Sequence, residues 1–454
     1  MRTANIVTAI ALAACPASAG AMEKAAPAGL DRIQHIVVIY LENRSFDNLY
    51  ALFPGANSLI GKTRWAPQVD KDGKIFATLP PAMDTEAQPP APDPRFPAAL
   101  ANAPFMIDQY VPQDQKTPDL VHRFYQNQEQ IDGGKNDKFA ALSDAGGLVM
   151  GFYDARNTKL WAYAKKYTLA DNYFMGAFGG SFLNHFWLVC ACTPRYDGAP
   201  PDMVARLDGQ GHVVKDGAVT PDGYAVNTLQ SSFQPHLAKI TDPARLLPPV
   251  NLPTIGDRLS DKNITWAWYS GGWNEALAGK PDPTFQFHHQ PFAYFTQYGD
   301  GTVGRRQHLK DETDLYDAIA DGSLPAVAFY KPLGLENQHP GYANITNADN
   351  RAADLLEHLE KSPLWPSTVV LITYDENGGF WDHVPPPKGD RWGPGTRVPL
   401  LVVSPLAKKG HVDHTLLDTT AILKLIETRY GLAPLGERDA HAGNLANALQ
   451  LKAK

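Results

Sequence analysis

Runs of apolar, β-branched and aromatic residues constrain the fold of this chain more than any other feature. Residues 35–40, 368–374 and 398–403 are nearly continuous in such residues, with no alternation of apolar and polar positions. Residues 264–269 and 326–330 are two further candidate strands. Continuous apolar strands are covered on both faces, as they are in a parallel sheet flanked by helices. The runs therefore predict strands in the interior of the molecule.

Helical patterns lie between these runs. Residues 350–361 place apolar side chains on one stripe, and residues 154–167 and 416–430 are predicted as further helices. Strands that alternate with helices predict an α/β fold with a mostly parallel central sheet and helices on both faces.

The domain organisation follows from the stretches that lack periodicity. The chain shows no internal repeat and no clean linker, so we expect a single domain over residues 30–454. Stretches rich in proline, glycine and aspartate predict irregular insertions at about residues 60–120 and 198–250.

The N-terminal residues have the pattern of a signal peptide. Arg2 supplies a positive charge, residues 6–14 form a short apolar core, and residues 17–19 are a small-x-small cleavage site. We expect residues 1–21 to be removed and the protein to be periplasmic or secreted. The residues before Cys15 also fit a lipid-attachment pattern, so a lipid anchor there is the alternative.

Charge and hydropathy argue against two kinds of protein, a nucleic-acid-binding protein and a membrane-spanning one. A formal net charge of -7 disfavours a nucleic-acid-binding protein, which needs a basic face. After the N-terminal segment no apolar run approaches the roughly 18 residues of a transmembrane helix, so none is expected. Cys190 and Cys192 are either bridged or two free thiols, and as a pair they offer too few ligands for a metal site.

Oxygen-bearing side chains follow two of the predicted strands directly. Glu42 and Asn43 come after the first strand, and Asp375 and Glu376 come after residues 368–374. Ligands bind beyond the carboxyl ends of strands in open α/β sheets, so the two pairs could hold one cation. All-oxygen ligands suit Ca²⁺, Mg²⁺ or Mn²⁺ better than Zn²⁺. The alternative is a helix cap at Asn43 and a simple turn after the second strand.

A candidate nucleophile follows a pair of glycines. Gly179 and Gly180 precede Ser181, which leaves its hydroxyl accessible and lets the backbone approach a ligand. A helix that begins there would direct its N-terminal amides at an anion. Asn184 and His185 lie within one turn of the serine. The alternative is an ordinary glycine turn.

Most histidines lie in polar segments that contain glycine or proline. Those that could meet at a phosphate are His122, His288, His289 and His339, and His383 follows Asp382. Converging histidines would supply charge-assisted hydrogen bonds and a proton near neutral pH. Each of them alone is also compatible with an ordinary surface position.

Two long motifs resemble one known family. The sequence IVVIYLENRSFDN at residues 36–48 and YDENGGFWDHVPPP at residues 374–387 are similar to motifs of the bacterial phosphoesterase family, which contains secreted acid phosphatases and phospholipases C. The stretch RVPLLVVSP at residues 397–405 and the Asp-His pair at residues 413–414 also resemble that family. The resemblance extends from about residue 34 to residue 430.

The resemblance implies an alkaline-phosphatase-like fold with a single metal ion. By this likeness Glu42, Asn43, Asp375 and Glu376 hold the metal and Ser181 attacks phosphorus. The implied phosphate-facing histidines are His122, His288, His289 and His339, with Asn184, His185, Asp382 and His383 binding phosphate or supporting the site. Asn377 departs from the family pattern, in which histidine is common at this position.

The choice within the family favours the acid phosphatase branch. A serine at position 181 is typical of that branch, and the chain ends near the catalytic domain. The expected activity is hydrolysis of small phosphate monoesters through a phosphoserine, with His339 protonating the leaving alcohol and with an acid pH optimum. One alternative is a phospholipase C-type phosphodiesterase, and another is a non-catalytic calcium-binding surface protein.

Overall fold

The computed structural model describes residues 28–62 and 65–451. The predicted signal peptide, residues 1–21, and the predicted lipid-attachment site at Cys15 lie outside the described residues. Eight strands form one central sheet. In chain order they are β1 (His35–Leu41), β2 (Thr168–Ala170), β3 (Trp266–Ser270), β4 (Leu309–Asp311), β5 (Val327–Lys331), β6 (Thr368–Tyr374), β7 (Leu400–Val403) and β8 (His411–Asp413).

The order of strands across the sheet is β4-β3-β5-β1-β6-β7-β2-β8. Neighbouring strands are parallel except at β7, which is antiparallel to both β6 and β2. Each of the five predicted strands belongs to this sheet, so the prediction of an α/β fold with a mostly parallel sheet is confirmed. The direction of β7 could not be read from its composition, because a strand buried on both faces is apolar whichever way it runs.

Helices cover the sheet, and every residue of β5 and β6 is buried. The described residues contain α1 (Phe46–Tyr50), α2 (Phe124–Ile131), α3 (Lys159–Lys166), α4 (Ser181–Cys190), α5 (Ile255–Asp261), α6 (Trp273–Leu277), α7 (Val303–His308), α8 (Glu312–Asp321), α9 (Ile345–Lys361), α10 (Thr420–Tyr430) and α11 (Glu437–His441).

Local caps decide where the predicted helices begin. The Asn344 side chain accepts a hydrogen bond from the amide of Asn347, so α9 begins five residues before the periodic pattern does. Thr158 caps α3 in the same way, and the residues before it form a short 3₁₀ turn. At α10 the carboxylate of Asp418 accepts from the Thr420 amide at 2.8 Å, and the helix begins there.

As far as the structure describes them, the predicted insertions contribute no strand to the central sheet. Residues 65–120 and 198–250 form irregular backbone with short paired strands. That they belong to one domain with the rest of the chain stays a prediction. The short pairs in the described residues are Thr78–Leu79 with Leu100–Ala101, Met83–Asp84 with Ala91–Pro92, Phe105–Met106 with Gly151–Phe152, Tyr173–Phe174 with Leu417–Asp418, Arg206–Leu207 with Val213–Lys215, and Gln230–Ser231 with Leu246–Leu247.

Two further features concern the chain as a whole. Cys190 and Cys192 form a disulfide bond where α4 ends, so the two thiols are bridged and not free in this structure.

Within the described part of the chain, no helix combines the length and the apolar character that crossing a membrane requires.

Candidate active site

The candidate site lies at the carboxyl ends of β1 and β6. These strands are parallel neighbours in register, with Leu41 opposite Tyr374, so the residues that follow them emerge side by side. The Asn43 amide donates to Asp375 Oδ1 at 3.0 Å. The side chains of both residues and of their neighbours Glu42 and Glu376 are buried. The structure thus brings the two oxygen-bearing pairs together.

The backbone at both strand ends is shaped for this approach. Asn43 has φ 61°, a left-handed conformation that asparagine tolerates better than most residues. Gly378 follows the second pair with φ 59°, and a Cβ there would lie 2.4 Å from the Asn43 carbonyl oxygen. Only glycine therefore allows the two loops to pack this closely.

Ser181 is the first residue of α4 and points at these loops. Its hydroxyl donates to Glu42 Oε2 at 2.9 Å and lies 3.3 Å from Asn43 Oδ1. The preceding Gly179 has φ 86°, and a Cβ there would lie 2.5 Å from the Phe124 amide nitrogen. Glycine is required for this turn, and the turn delivers the hydroxyl to the oxygen-bearing pairs.

Asn184 and His185 form hydrogen bonds with the backbone around Ser181. The Asn184 side chain accepts from the Ala177 amide at 2.9 Å and donates to the Ala177 and Gly180 carbonyls at 3.1 and 3.2 Å. The His185 Nδ1 donates to the Ser181 carbonyl at 2.7 Å. Both side chains are fully buried and neither lines the cavity in front of Ser181, so their placement suits support of the turn.

A cavity of about 550 Å³ opens in front of Ser181. Three of the predicted histidines, His122, His288 and His339, line it. The fourth, His289, lies behind them with Nε2 3.1 Å from Glu42 Oε1. The fold therefore brings three histidines from three separate segments to the cavity at Ser181, and it places the fourth, His289, against Glu42.

The electrostatics of these histidines differ. Burial would lower the pKa of His122, but Glu376 and Asp119 raise it to about 9. Burial lowers the pKa of His289 to about 4 and also holds the pKa of His288 and His339 below the ordinary value. Of the three histidines that line the cavity, His122 has a raised pKa, whereas His288 and His339 have lowered ones.

The carboxylates show an excess of buried negative charge. Burial and the neighbouring Glu42 raise the pKa of Asp375 to about 8, and burial raises the pKa of Glu376 well above its ordinary value. Asp375 Oδ2 and Glu376 Oε1 have no hydrogen-bond partner among the described residues. Buried, unpartnered carboxylate oxygens of this kind fit a cation, because a divalent ion would satisfy both the charge and the lone pairs.

Nitrogen atoms also lie within reach of a metal ion. Glu42, His185 and His289 each place a ligand atom within 4.8 Å of the others, and so do Asp119, His122 and His339. The described residues therefore contain carboxylate and histidine groups that could hold a metal. The sequence interpretation counted the oxygen atoms only.

Lys331 was missed from the sequence. It is the last residue of β5, the other neighbour of β1, and its buried ammonium contacts Glu42 Oε1. Burial would raise the pKa of Glu42, but Lys331 and His289 hold it well below its ordinary value. A signal was present, since Lys331 directly follows a predicted strand, as the acidic pairs do.

Asp382 and His383 lie in a separate cluster of charged residues. The guanidinium of Arg397 donates to Asp382 at 3.0 Å and to Asp47 at 3.1 Å, and His383 Nδ1 lies 2.6 Å from Asp47. Neither residue lines the cavity at Ser181. Asp382 also accepts from the Asp47 amide at the start of α1, so the cluster joins the two loops that follow β1 and β6.

The profile of the phosphoesterase family matches residues 33–433, most of the chain. The chain belongs to the phosphoesterase family. As a member it is a phosphoric ester hydrolase, and the alternative of a non-catalytic calcium-binding protein is not supported.

Curated relatives of this phosphoesterase are phospholipases C. Phospholipase C B of Mycobacterium tuberculosis is 26% identical, with 94% of this chain and 79% of the relative aligned. The non-hemolytic phospholipase C of Pseudomonas aeruginosa is 22% identical, with 89% of this chain and 54% of the relative aligned. The chain spans about half the length of the second relative.

Among solved structures, the phosphoesterase is similar to a protein in the alkaline phosphatase superfamily from Vibrio parahaemolyticus. The TM-score is 0.35 with 11% identity, and the match covers 73% of each chain. We draw no conclusion about the site from a match with this score. The α/β fold class follows from the mostly parallel central sheet.

Proposed function

We propose that this phosphoesterase hydrolyses phosphate monoesters through a phosphoserine at Ser181. The observation that supports the proposal is the contact between the Ser181 hydroxyl and the first oxygen-bearing pair, 2.9 Å from Glu42 and 3.3 Å from Asn43. A structural metal site has no need of a hydroxyl at the start of a helix beside its ligands. The same hydroxyl faces a cavity large enough for a small phosphorylated substrate.

Glu42, Asn43, Asp375 and Glu376 would hold one divalent cation, and their oxygen atoms suit Ca²⁺, Mg²⁺ or Mn²⁺ better than Zn²⁺. When bound, the ion supplies Lewis-acid charge at the phosphate and favours the ionised form of the serine. The residues fit this role because two of their carboxylate oxygens are buried without a partner in the described chain.

The protein side chains carry the two chemical steps. The Ser181 hydroxyl passes its proton to Glu42 Oε2, which accepts its hydrogen bond, and Oγ forms a bond to phosphorus as the bond to the leaving oxygen breaks. The leaving alkoxide takes a proton from His339, whose Nδ1 is engaged by the Pro340 carbonyl at 2.5 Å, leaving Nε2 for the substrate. His122 and His288 would donate hydrogen bonds to the equatorial oxygens. Water then cleaves the phosphoserine: the water oxygen bonds to phosphorus as the bond between phosphorus and Oγ breaks, one water proton returns to His339, and Glu42 returns the serine proton to Oγ.

An acid optimum follows from the proposed role of His339. A general acid acts in its protonated form, and burial lowers the pKa of His339. Hydrolysis is therefore expected to be fastest at a pH below about 6.5, the ordinary histidine pKa.

The test compares three substrates with and without a chelator: a phosphate monoester, a phosphodiester and a phospholipid. Wild type is expected to hydrolyse the monoester fastest, to lose this activity with chelator and to regain it with added divalent ion. Ser181→Ala is expected to lose at least about 10³-fold in kcat, as nucleophile variants do. Ser323→Ala, at an exposed serine, is the matched control. Full activity in Ser181→Ala would exclude the phosphoserine mechanism.

A second candidate function is a phospholipase C-type phosphodiesterase. It is favoured by the curated relatives, which are named phospholipases C. The serine chemistry would be the same, and the leaving group would be a diacylglycerol. Faster hydrolysis of the phospholipid than of the monoester in the same comparison would select this alternative.

We also propose that the protein is exported to the periplasm or secreted. The support is the sequence pattern of residues 1–21, with a lipid anchor at Cys15 as the alternative. Mass spectrometry of the mature N-terminus distinguishes cleavage near residue 21 from a lipidated cysteine. An intact Met1 would exclude both.

A further inference from the structure

Tyr342 lines the cavity in front of Ser181 and has no role in the steps above. It follows the proposed general acid His339 by three residues, and its ring stacks on the imidazole with centroids 4.3 Å apart and planes at 16°. The tyrosine therefore stands beside two groups that are proposed to act on the substrate.

The hydroxyl of Tyr342 is buried and has no hydrogen-bond partner among the residues that the structure describes. A buried hydroxyl that makes no hydrogen bond is unfavourable, and such groups call for an explanation such as a ligand. The Nδ2 of Asn337 is likewise buried and has no partner at full hydrogen-bond geometry among the described residues; it lies near the Tyr342 oxygen, where as a donor it lowers the pKa of Tyr342 but offers no acceptor for the hydroxyl proton.

The surroundings keep this hydroxyl protonated. Burial, followed by the negative charges of Glu42, Asp119 and Asp375, raises the pKa of Tyr342 well above its ordinary value. The group can therefore only act as a neutral donor or acceptor, and it lies close to the oxygen-bearing pairs. A donor in that position suits an anionic oxygen.

The loop holds the tyrosine firmly. Asn337 Oδ1 accepts from the His339 amide at 2.9 Å, and the Ala343 amide donates to the His339 carbonyl at 2.9 Å. The Gly341 amide donates to the Thr117 carbonyl at 2.8 Å, which joins the loop to the insertion before His122. The hydroxyl thus keeps one position without help from a bond of its own.

We propose that the Tyr342 hydroxyl donates a hydrogen bond to a phosphoryl oxygen of the substrate during transfer to Ser181. This inference rests on the proposed function of the Ser181 cavity and adds a substrate-contacting residue to it. A phosphoryl oxygen supplies the missing partner, and a hydrogen bond to a charged acceptor is the stronger kind.

Tyr342→Phe removes the hydroxyl and keeps the ring on His339. The expected result is a loss of about 10- to 100-fold in kcat/KM for a phosphate monoester, because one donor to a charged group is lost. The inhibition constant of inorganic phosphate is expected to rise by a similar factor, and the thermal stabilisation by phosphate to shrink. Tyr163→Phe is the matched control, because its hydroxyl is bonded to Glu360 and lines no part of the cavity.

The outcomes separate this inference from the proposed function. If wild type is active, Ser181→Ala is inactive and Tyr342→Phe equals wild type in kcat/KM and in phosphate inhibition, the inference is wrong and the function stands. If Ser181→Ala keeps full activity, the proposed function fails, and the phosphate-binding comparison still decides whether Tyr342 binds the anion. A large drop in melting temperature for Tyr342→Phe would reveal a structural partner for the hydroxyl and overturn the inference.

Discussion

Lys331 and Glu42 are both fully buried, and each supplies the counter-charge of the other. The ammonium neutralises one carboxylate in a cluster that contains three of them. Removing one partner of a buried ion pair leaves an uncompensated charge, which is more damaging than removing both. The free energy of unfolding therefore depends on Lys331, a cation that lies outside the sequence motifs of the site.

We therefore expect Lys331→Met to lower the free energy of unfolding of the metal-free protein by about 3–5 kcal/mol. Denaturant unfolding with chelator present measures this. Lys361→Met is the control, since Lys361 is an exposed residue paired with Glu357 and should change the value by less than about 1 kcal/mol. Equal values for the two variants would mean that Lys331 does not compensate Glu42.

His339 is expected to act as the general acid, which leads to a prediction that depends on the leaving group. His339→Gln should lower kcat by about 10²- to 10⁴-fold for an alkyl phosphate, whose alkoxide needs a proton. The loss should be much smaller for p-nitrophenyl phosphate, whose leaving group is stable without one. His358→Gln, at an exposed histidine, is the control. An equal loss for both substrates would assign His339 to binding and not to proton transfer.

The same residue sets the sign of the pH dependence. Burial lowers the pKa of His339, and in the proposed role of general acid the protonated form is the active one. For the alkyl phosphate, kcat is therefore expected to be highest at low pH and to fall as pH rises through a pKa below about 6.5. A profile that stays flat between about pH 5 and 8 would contradict this assignment.

At the scale of elements, the turn before α4 depends on one side chain. Asn184 bonds to the Ala177 backbone at both N–H and C=O and to the Gly180 carbonyl, so it closes the turn that carries Ser181. Because the helix begins at the serine, a looser turn displaces the hydroxyl without removing it.

We expect Asn184→Ala to lower the free energy of unfolding by about 1–3 kcal/mol, the cost of unpaired buried backbone groups. It should also reduce kcat more than it changes KM, because Ser181 loses its alignment. Steady-state kinetics and denaturant unfolding measure the two effects. Asn347→Ala, at an exposed position on α9, should leave kcat unchanged. If Asn184→Ala matches this control, the side chain does not position the serine.

A second element-scale feature is the cluster of Asp47, Asp382 and Arg397. It joins the start of α1 to the loop after β6, and these segments lead away from the two oxygen-bearing pairs. The residue motifs at the two strand ends are thus connected a second time, by residues that do not line the cavity at Ser181. This explains why a histidine and an aspartate so close to Asp375 in sequence lie outside the cavity.

For the molecule as a whole, stability should depend on pH through a group far from the cavity. Glu427 on α10 is 2% exposed, and its carboxyl group lies against the carboxylate of Asp439, to which only the protonated form of Glu427 can donate a hydrogen bond. Burial and the adjacent Asp439 raise the pKa of Glu427 to about 9. Lys424 is the nearby cation, and its ammonium donates to the Ala440 carbonyl.

The sign follows from proton binding. The unfolded chain releases the Glu427 proton near pH 4.3, whereas the folded state keeps it up to about pH 9. The stability that this group contributes is fully present below about pH 4.3 and is lost as pH rises toward 9. Between pH 5 and pH 8 the free energy of unfolding of wild type should therefore fall by at least about 1 kcal/mol more than that of Glu427→Gln. Thermal melts across this range measure the difference, with Glu357→Gln as the exposed control. Parallel curves for wild type and Glu427→Gln would contradict the prediction.

The sequence by itself determined the features that depend on local patterns. Continuous apolar runs located the five strands, because a strand buried on both faces must be apolar along its length. The residues directly after two of these strands lie at the same edge of the sheet, because parallel neighbours end together. Two motifs sufficed to indicate the family, which the profile over residues 33–433 shows.

Only the tertiary structure decided which distant residues meet. Lys331 contacts Glu42 because β5 pairs with β1, and this pairing joins residues almost 300 positions apart in sequence. Tyr342 and the histidines face Ser181 because separate loops close around one cavity. Such contacts depend on strand order and loop closure, which no local spacing of residue types encodes. The sequence thus indicated which side chains stand at the strand ends. Which distant residues contact them could be known only from the tertiary structure.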